Sequence, residues 1–369
     1  KAVKVLNSTN PTPLINYWLA YILRDTQILE KVTSASVAFN FPFRDETVKV
    51  LEWAQTQNKN WKNNYYLGLI YWSKGRVETT EKYFKNCEMQ PEFYAFYLTR
   101  FELLNGKSGY NGETDLLKAW QLAPNEWRTV MALSAFYEDN QQYDKALEWA
   151  QKGKKQFPDD YILAYQTAKC LLISGEYKEA LNILTATNIL PNEGASYGRT
   201  TYRQACILDA VNNLQNKKNK KALSLINMSR EWPENLGVGK PYDTDERIED
   251  YLESVYWSKN KNETKAKVFE TKVIESTLKS TGASSVDYLG AILMKKAGRE
   301  KEAADLLSKK IENEPKNLIA QWNLAKFNGE NEKAENLLHK IEAENGSSFY
   351  SPKIRDTGFA LILAIIDLK

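Results

Sequence analysis

Apolar residues recur at three- and four-residue intervals through most of the chain, in short segments that come in pairs. Leu67, Gly68 and Tyr71 fall on one helical face, Gly75 marks a turn, and Tyr83, Phe84 and Cys87 form the apolar side of a second helix. The pair returns downstream as Leu133, Ser134 and Tyr137, then Ala146, Ala150 and Gly153. Spacing makes this a repeat. Tyr143 and Tyr177, Ala146 and Ala180, and Leu147 and Leu181 are each 34 residues apart, and Ser134 with Ala168 and Tyr137 with Leu171 keep the same interval. Pro91, Pro124, Pro158 and Pro191 follow at 33, 34 and 33 residues, each closing an apolar-periodic segment where proline stops a helix.

The small residues have a packing reason. Gly68, Ser134 and Ala168 are expected where the first helix of a pair crosses the second, because a large side chain there would force the axes beyond about 8–10 Å. Tyr71 and Tyr137 fill the space one turn later. A single hairpin cannot bury both of its apolar faces, so hairpins must stack. The period, small crossing residues, aromatic fillers and terminal proline resemble the tetratricopeptide repeat. The resemblance is strong at 127–193 and good at 61–91. It is partial at 93–126, where Gly112 stands in place of the expected alanine. It implies an all-α fold, a right-handed α–α superhelix built as a solenoid of antiparallel helix hairpins.

The rhythm then breaks. Ala222-Leu223 lies 42 residues after Ala180-Leu181, and Pro233 lies 42 after Pro191, which marks one repeat carrying eight extra residues. The segments GASYG (194–198) and NKKNKK (216–221) are the expected places for them. Ala222 and Ala303 are 81 residues apart, two periods plus 13, assigned to ENLGVGKPYDTDE (234–246). An atypical helix pair is expected at about 245–281, a good repeat at 284–315 and a shorter one at 318–345. Phe359 to Ile366 reads as a buried terminal helix. Near the start, Asn10-Pro11 reads as a capping pair and Leu14 to Leu23 as a helix, VAFNFPFR interrupts, and Asp45 opens a helix through Trp53. The expected organisation is an irregular helical cap at 1–57, tetratricopeptide-like repeats at 58–233, and the atypical pair, further repeats and a capping helix at 234–369, all one continuous array.

Composition narrows the function. Fifty basic against 47 acidic residues leave a net charge of +3, without the clustered excess of a nucleic-acid binder. Lys217, Lys218, Lys220 and Lys221 read as a solvated helix-turn tip. Three cysteines without regular spacing form no disulfide framework and no zinc motif, and Cys87 and Cys170 are expected as buried thiols. The opening KAVKVLNSTNPTP lacks the apolar core of a signal peptide, and the missing initiating Met suits a processed chain or a piece of a longer one. No apolar run is long enough to span a bilayer.

Several motifs reduce to structure. Gly237-Val238-Gly239-Lys240 is no phosphate loop, because Pro241 follows the lysine and removes a backbone donor. It is expected as an ordered loop, with both glycines permitting the turn and Asp243 and Glu246 making a capping box. His339, the single histidine, rules out two-histidine metal sites and is expected on a surface helix. Glu246, Glu249 and Asp250 read as a solvated first turn. No catalytic residue, metal or cofactor is assigned.

The aromatic residues carry the binding expectation. The side of each first helix turned away from its partner presents Tyr65, Tyr66, Leu69 and Trp72, then Tyr94, Tyr97 and Phe101, then Arg128 and Met131, then Tyr165 and Lys169. In tetratricopeptide folds that side lines a concave groove, and aromatic rings suit peptide or sugar recognition. The expected function is a non-enzymatic scaffold holding a protein, a peptide or an upstream domain of the same polypeptide. Carbohydrate binding as an accessory to a glycan-processing protein is the first alternative, and glycoside chemistry by a carboxylate pair the second. FPFRDETVKVLEWA, WKNNYYLGLIYW and PENLGVGKPYDTDERIEDYL further resemble the C-terminal helical region of large bacterial proteins of unknown function, in which a β-rich domain precedes the repeats. That resemblance implies an exported or periplasmic setting.

Overall fold

Seven of the helix reversals turn on one left-handed residue, whereas the connection at 105–111 has two, Gly106 and Gly109. In the computed structural model, which describes residues 1–191, 196–345, 358–366 and 368, φ is positive at Gly75, Gln141, Gly175, Lys217, Lys261, Gly298 and Gly329. The next residue in each case returns its N–H to the carbonyl five positions back: Arg76 to Tyr71, Gln142 to Tyr137, Glu176 to Leu171, Lys218 to Asn213, Asn262 to Trp257, Arg299 to Met294 and Glu330 to Ala325, all at 2.8–3.0 Å. This closure caps the orphan carbonyls of the first helix and reverses the chain into the second. Glycine is free to adopt it; Gln141, Lys217 and Lys261 do so against the Cβ penalty.

The chain divides into two compact units, residues 1–133 and 134–369. The first contains α1 (Ala2–Asn7), α2 (Pro13–Leu23), α3 (Thr26–Ser34), α4 (Glu46–Gln57), α5 (Trp61–Ser73), α6 (Val77–Lys85), α7 (Tyr94–Leu104), α8 (Gly112–Leu122) and the start of α9 (Trp127–Asp139). The cap of α2 is Thr12, whose hydroxyl accepts from Ile15 N at 3.3 Å ahead of Pro13, so the capping pair sits two residues beyond Asn10-Pro11. α2 packs on α3 and α4, α4 on α5, and α5–α6 and α7–α8 are hairpins. Tyr66, Leu67, Phe84, Phe96 and Tyr97 make the centre of this core. A Cβ on Gly68 would run into the Phe84 ring, which is the close crossing the sequence implies. Tyr71 stacks on Tyr83 across the hairpin, centroids 5.5 Å apart.

The second unit continues with α10 (Tyr143–Gln156), α11 (Tyr161–Ile173), α12 (Tyr177–Ala186), α13 (Tyr197–Gln215), α14 (Asn219–Ser229), a single 3-10 turn (Glu234–Leu236), α15 (Arg247–Lys259), α16 (Glu263–Lys279), α17 (Asp287–Lys296), α18 (Glu300–Asn313), α19 (Leu318–Phe327), α20 (Asn331–Asn345) and α21 (Phe359–Ile365). α11–α12, α13–α14, α15–α16, α17–α18 and α19–α20 are hairpins, and each packs on the next. Ser134 and Ala168 are fully buried at their crossings, Ser134 donating to the Ala146 carbonyl at 2.9 Å. α21 buries Phe359, Leu361, Ile362 and Ile365, packs on α13 and sets Phe359 edge-on to Trp322.

The eight extra residues are shared between a longer connection and a longer helix: 187–196 has ten residues where 157–160 has four, α13 is six longer than α11, and α12 is four shorter than α10. α13 has 19 residues against 13 in α11, and the left-handed turns Gly175 and Lys217 lie 42 residues apart. The register therefore places the added turns at the N-terminal end of α13, Tyr197 to Tyr202. Of the segments expected to hold the insertion, Gly194 and Ala195 lie outside the described residues, and 216–221 forms a hairpin turn of ordinary length. The 13-residue loop is tied down by Ile189, which donates to Asn235 O at 2.8 Å, and by Asn235, whose amide reaches Leu184 O and Thr187 O. Gly237 alone of its two glycines takes positive φ, and a Cβ there would lie 2.7 Å from Ile189 O. The capping box is not formed: α15 starts at Arg247, whose N–H donates to Asp245.

Candidate functional site

Four of the eleven residues expected to line the groove are buried instead. Tyr65 stacks on Phe84 of its own hairpin and meets Phe96 of the next edge-on, 5.7 Å between centroids. Tyr66 lies against Tyr17 of α2. Tyr97 is fully buried and donates to Pro91 O at 2.8 Å. Lys169 is held by Glu138, 2.5 Å away, which also accepts from Gln166. The cause is that α5 is covered by α4, α6 and the aromatic residues of α7, so two adjacent tyrosines on it cannot both reach solvent. Leu69, Trp72, Tyr94, Phe101, Met131 and Tyr165 remain half-buried, and Arg128 is exposed. Tyr94 donates to Glu126 at 3.2 Å, and Glu126 also accepts from Arg128 at 2.7 Å, which holds the Glu126 carboxyl below its usual range despite partial burial. Tyr165 meets Tyr197 at 4.6 Å in the second unit.

A second candidate was not visible in the sequence. The added turns of α13, the end of α14, the following loop and the start of α15 enclose a cleft of about 280 Å³. Arg203 forks Glu249, Nε to Oε1 at 2.6 Å and Nη2 to Oε2 at 2.7 Å. Arg230 donates to Glu246, Asp250 and Glu253 at 3.1, 2.7 and 3.1 Å. Glu249 is 1% exposed, so the expectation of a solvated acidic first turn is corrected: these carboxylates face the arginines of the preceding hairpin, α13–α14. Burial raises the Asp250 and Glu253 carboxyls above their ordinary values, with Arg230 opposing it.

Arg199 stands apart in this cleft. It is 4% exposed, its Nη2 donates to Ser229 O at 2.6 Å, and its guanidinium lies over the Trp232 ring at 4.5 Å. Nε is buried without a hydrogen-bond partner, and no carboxylate among the described residues pairs with the group. Burial, then the neighbouring Arg203, lowers its affinity for its own proton. The 42-residue spacing was the available signal, since it marked where this repeat departs from its neighbours.

Elsewhere the chemistry is quiet. Cys87, Cys170 and Cys206 are free, buried thiols, each pushed up to about 12 by burial. His339 is exposed on α20. Among the described residues no cluster suits a metal ion, and no helix is long and apolar enough to cross a membrane.

The hairpins, their small-residue crossings and their recurrent turns make this a tetratricopeptide-like helical repeat protein. No protein-family profile and no curated protein matches the chain. Among solved structures it is similar to a tetratricopeptide repeat protein from Parabacteroides merdae, at 11% identity over 73% of this chain and 99% of that one, TM-score 0.42. It is also similar to pilF of Pseudomonas aeruginosa (15% identity, 72% and 97% covered, TM-score 0.35) and to yeast Tom70 (12%, 91% and 65%, TM-score 0.36). These likenesses concern helical architecture alone.

Proposed function

We propose that the protein is an interaction scaffold that holds an extended peptide segment against the first helices of its N-terminal unit, without chemistry. The supporting observation is the set of large side chains that the core leaves half-buried on successive first helices: Leu69 and Trp72 on α5, Tyr94 and Phe101 on α7, Met131 on α9, with exposed Arg128 beside them. α5 and α7 are neighbours through Tyr65 and Phe96, and α7 meets the entry to α9 through Tyr94 and Glu126. Partly exposed aromatic rings beside an arginine are the residue types that concentrate binding energy at interfaces. A catalytic carboxylate pair is disfavoured by the chemistry of the second-unit cleft, where Glu246 and Glu249 are engaged by guanidinium groups.

The test uses peptides selected from a random phage-displayed library on the whole chain, titrated into wild type, Tyr94→Ala, Arg128→Ala and Trp72→Ala. Loss of about tenfold or more in affinity, about 1.4 kcal/mol, with unchanged far-ultraviolet circular dichroism, is the expected result. Equal affinity for all four proteins would exclude this strip as the binding surface.

A further inference from the structure

We infer that the cleft beside Trp232 is a binding site for a single carboxylate group, taken up by Arg199. The inference concerns the second unit only and does not depend on the peptide strip proposed above.

Charge pairing carries the argument. Each neighbouring cation of the cleft already has acidic partners: Arg203 has Glu249, Arg230 has Glu246, Asp250 and Glu253, and Lys240 reaches Glu246 at 3.3 Å. Arg199 has no carboxylate within ion-pair distance among the described residues, although less of it is exposed than of Arg203 or Arg230; Glu249 favours its charge only from farther off and is already forked by Arg203. A buried guanidinium without a directly paired carboxylate is unfavourable unless something supplies one, and removing a charge from water without pairing costs several kcal/mol. Only Nη2 is used by the protein, on a backbone carbonyl, so donor capacity remains. Trp232 covers the guanidinium, fixing its plane and excluding water there.

The same surroundings select the anion. Glu246, Glu249, Asp243 and Asp245 also line the cleft. Their field opposes a second negative charge, so a monoanionic carboxylate is favoured over a phosphate dianion. The volume, about 280 Å³, lies just below the range for drug-sized ligands, which suits a carboxylate on a short stem. Such a group can come from a free small acid or from the end of a peptide.

The experiment follows the indole N–H resonance of Trp232 in the whole chain, assigned by its loss in Trp232→Phe. Sodium acetate, sodium phosphate, and a tetrapeptide with a free C-terminus or a C-terminal amide are titrated against sodium chloride at constant ionic strength. Expected are saturable shifts with acetate or the acid peptide, at least tenfold weaker binding of phosphate and of the amide, and at least tenfold weakening in Arg199→Met. Shifts with acetate and acid peptide alike indicate a site open to free acids; shifts with the acid peptide alone indicate a chain terminus. Both outcomes support the site. Equal responses to acid and amide, phosphate binding as tightly as acetate, or no response beyond chloride would overturn it. Should Arg199→Met fail to fold, the acid–amide and acetate–phosphate comparisons on wild type decide the question unaided.

Discussion

Arg100 and Asp115 close a two-bond fork between α7 and α8: Nε and Nη2 donate to the two carboxylate oxygens at 2.7 and 2.5 Å, with both side chains almost wholly buried. Tyr110 donates to the same carboxylate and Arg100 also reaches Glu88 O. Breaking one side strands a buried charge. Asp115→Asn is expected to destabilise the protein by about 3–5 kcal/mol in urea unfolding, while Arg100→Met with Asp115→Leu loses less than either single change. A double mutant less stable than both singles would contradict this account.

Gly68 and Phe84 set the axis separation of the α5–α6 hairpin. Gly68→Ala gains about 1 kcal/mol of helix propensity but drives a methyl into the ring, a cost of about 1–3 kcal/mol. Net destabilisation is expected, partly relieved by adding Phe84→Leu, and thermal unfolding of wild type and both variants checks it.

The left-handed turns make opposite predictions at equivalent positions. Lys217→Gly and Gln141→Gly should each stabilise by about 0.5–1 kcal/mol, because the left-handed penalty exceeds glycine's entropy cost. Gly175→Ala should destabilise by about 1 kcal/mol. Chemical denaturation reads all three.

Alkaline pH should weaken the fold through its thiols. Burial pushes Cys87, Cys170 and Cys206 from the ordinary 9.0 up to about 12. Between these values the unfolded chain has released protons that the folded chain still holds, so stability falls as pH rises through that window and is undiminished below pH 9. Unfolding midpoints measured across pH 8–11 should show this fall, and a triple Cys→Ala variant should show a shallower one.

How far the sequence could be read depends on which interactions are local. The 34-residue interval reports helix crossings such as Gly68 and Ala168, which recur because each hairpin meets the same packing problem. The pairs expected at about 245–281, 284–315 and 318–345, once 13 added residues are set aside, form at 247–279, 287–313 and 318–345. Burial of Tyr65, Tyr66 and Tyr97 did not follow, because a helical wheel marks one partner helix whereas α5 has several. Glu249 was misread for a related reason: its partner Arg203 is 46 residues away. The use of Asp245 rather than a capping box, and of Thr12 rather than Asn10, turned on where each helix begins, at Arg247 and at Pro13.

The lengthening of α13 has a geometric consequence. Residues added inside a helix rotate everything beyond them by about 100° each, and would turn the apolar stripe of the remaining turns away from its neighbours. Added at the free end, they leave that stripe in phase. Arg199 and Thr200 of the added turns can therefore line the cleft while Tyr202, Ala205, Leu208 and the rest of α13 keep their packing, so a repeat gains a new wall without repacking its core.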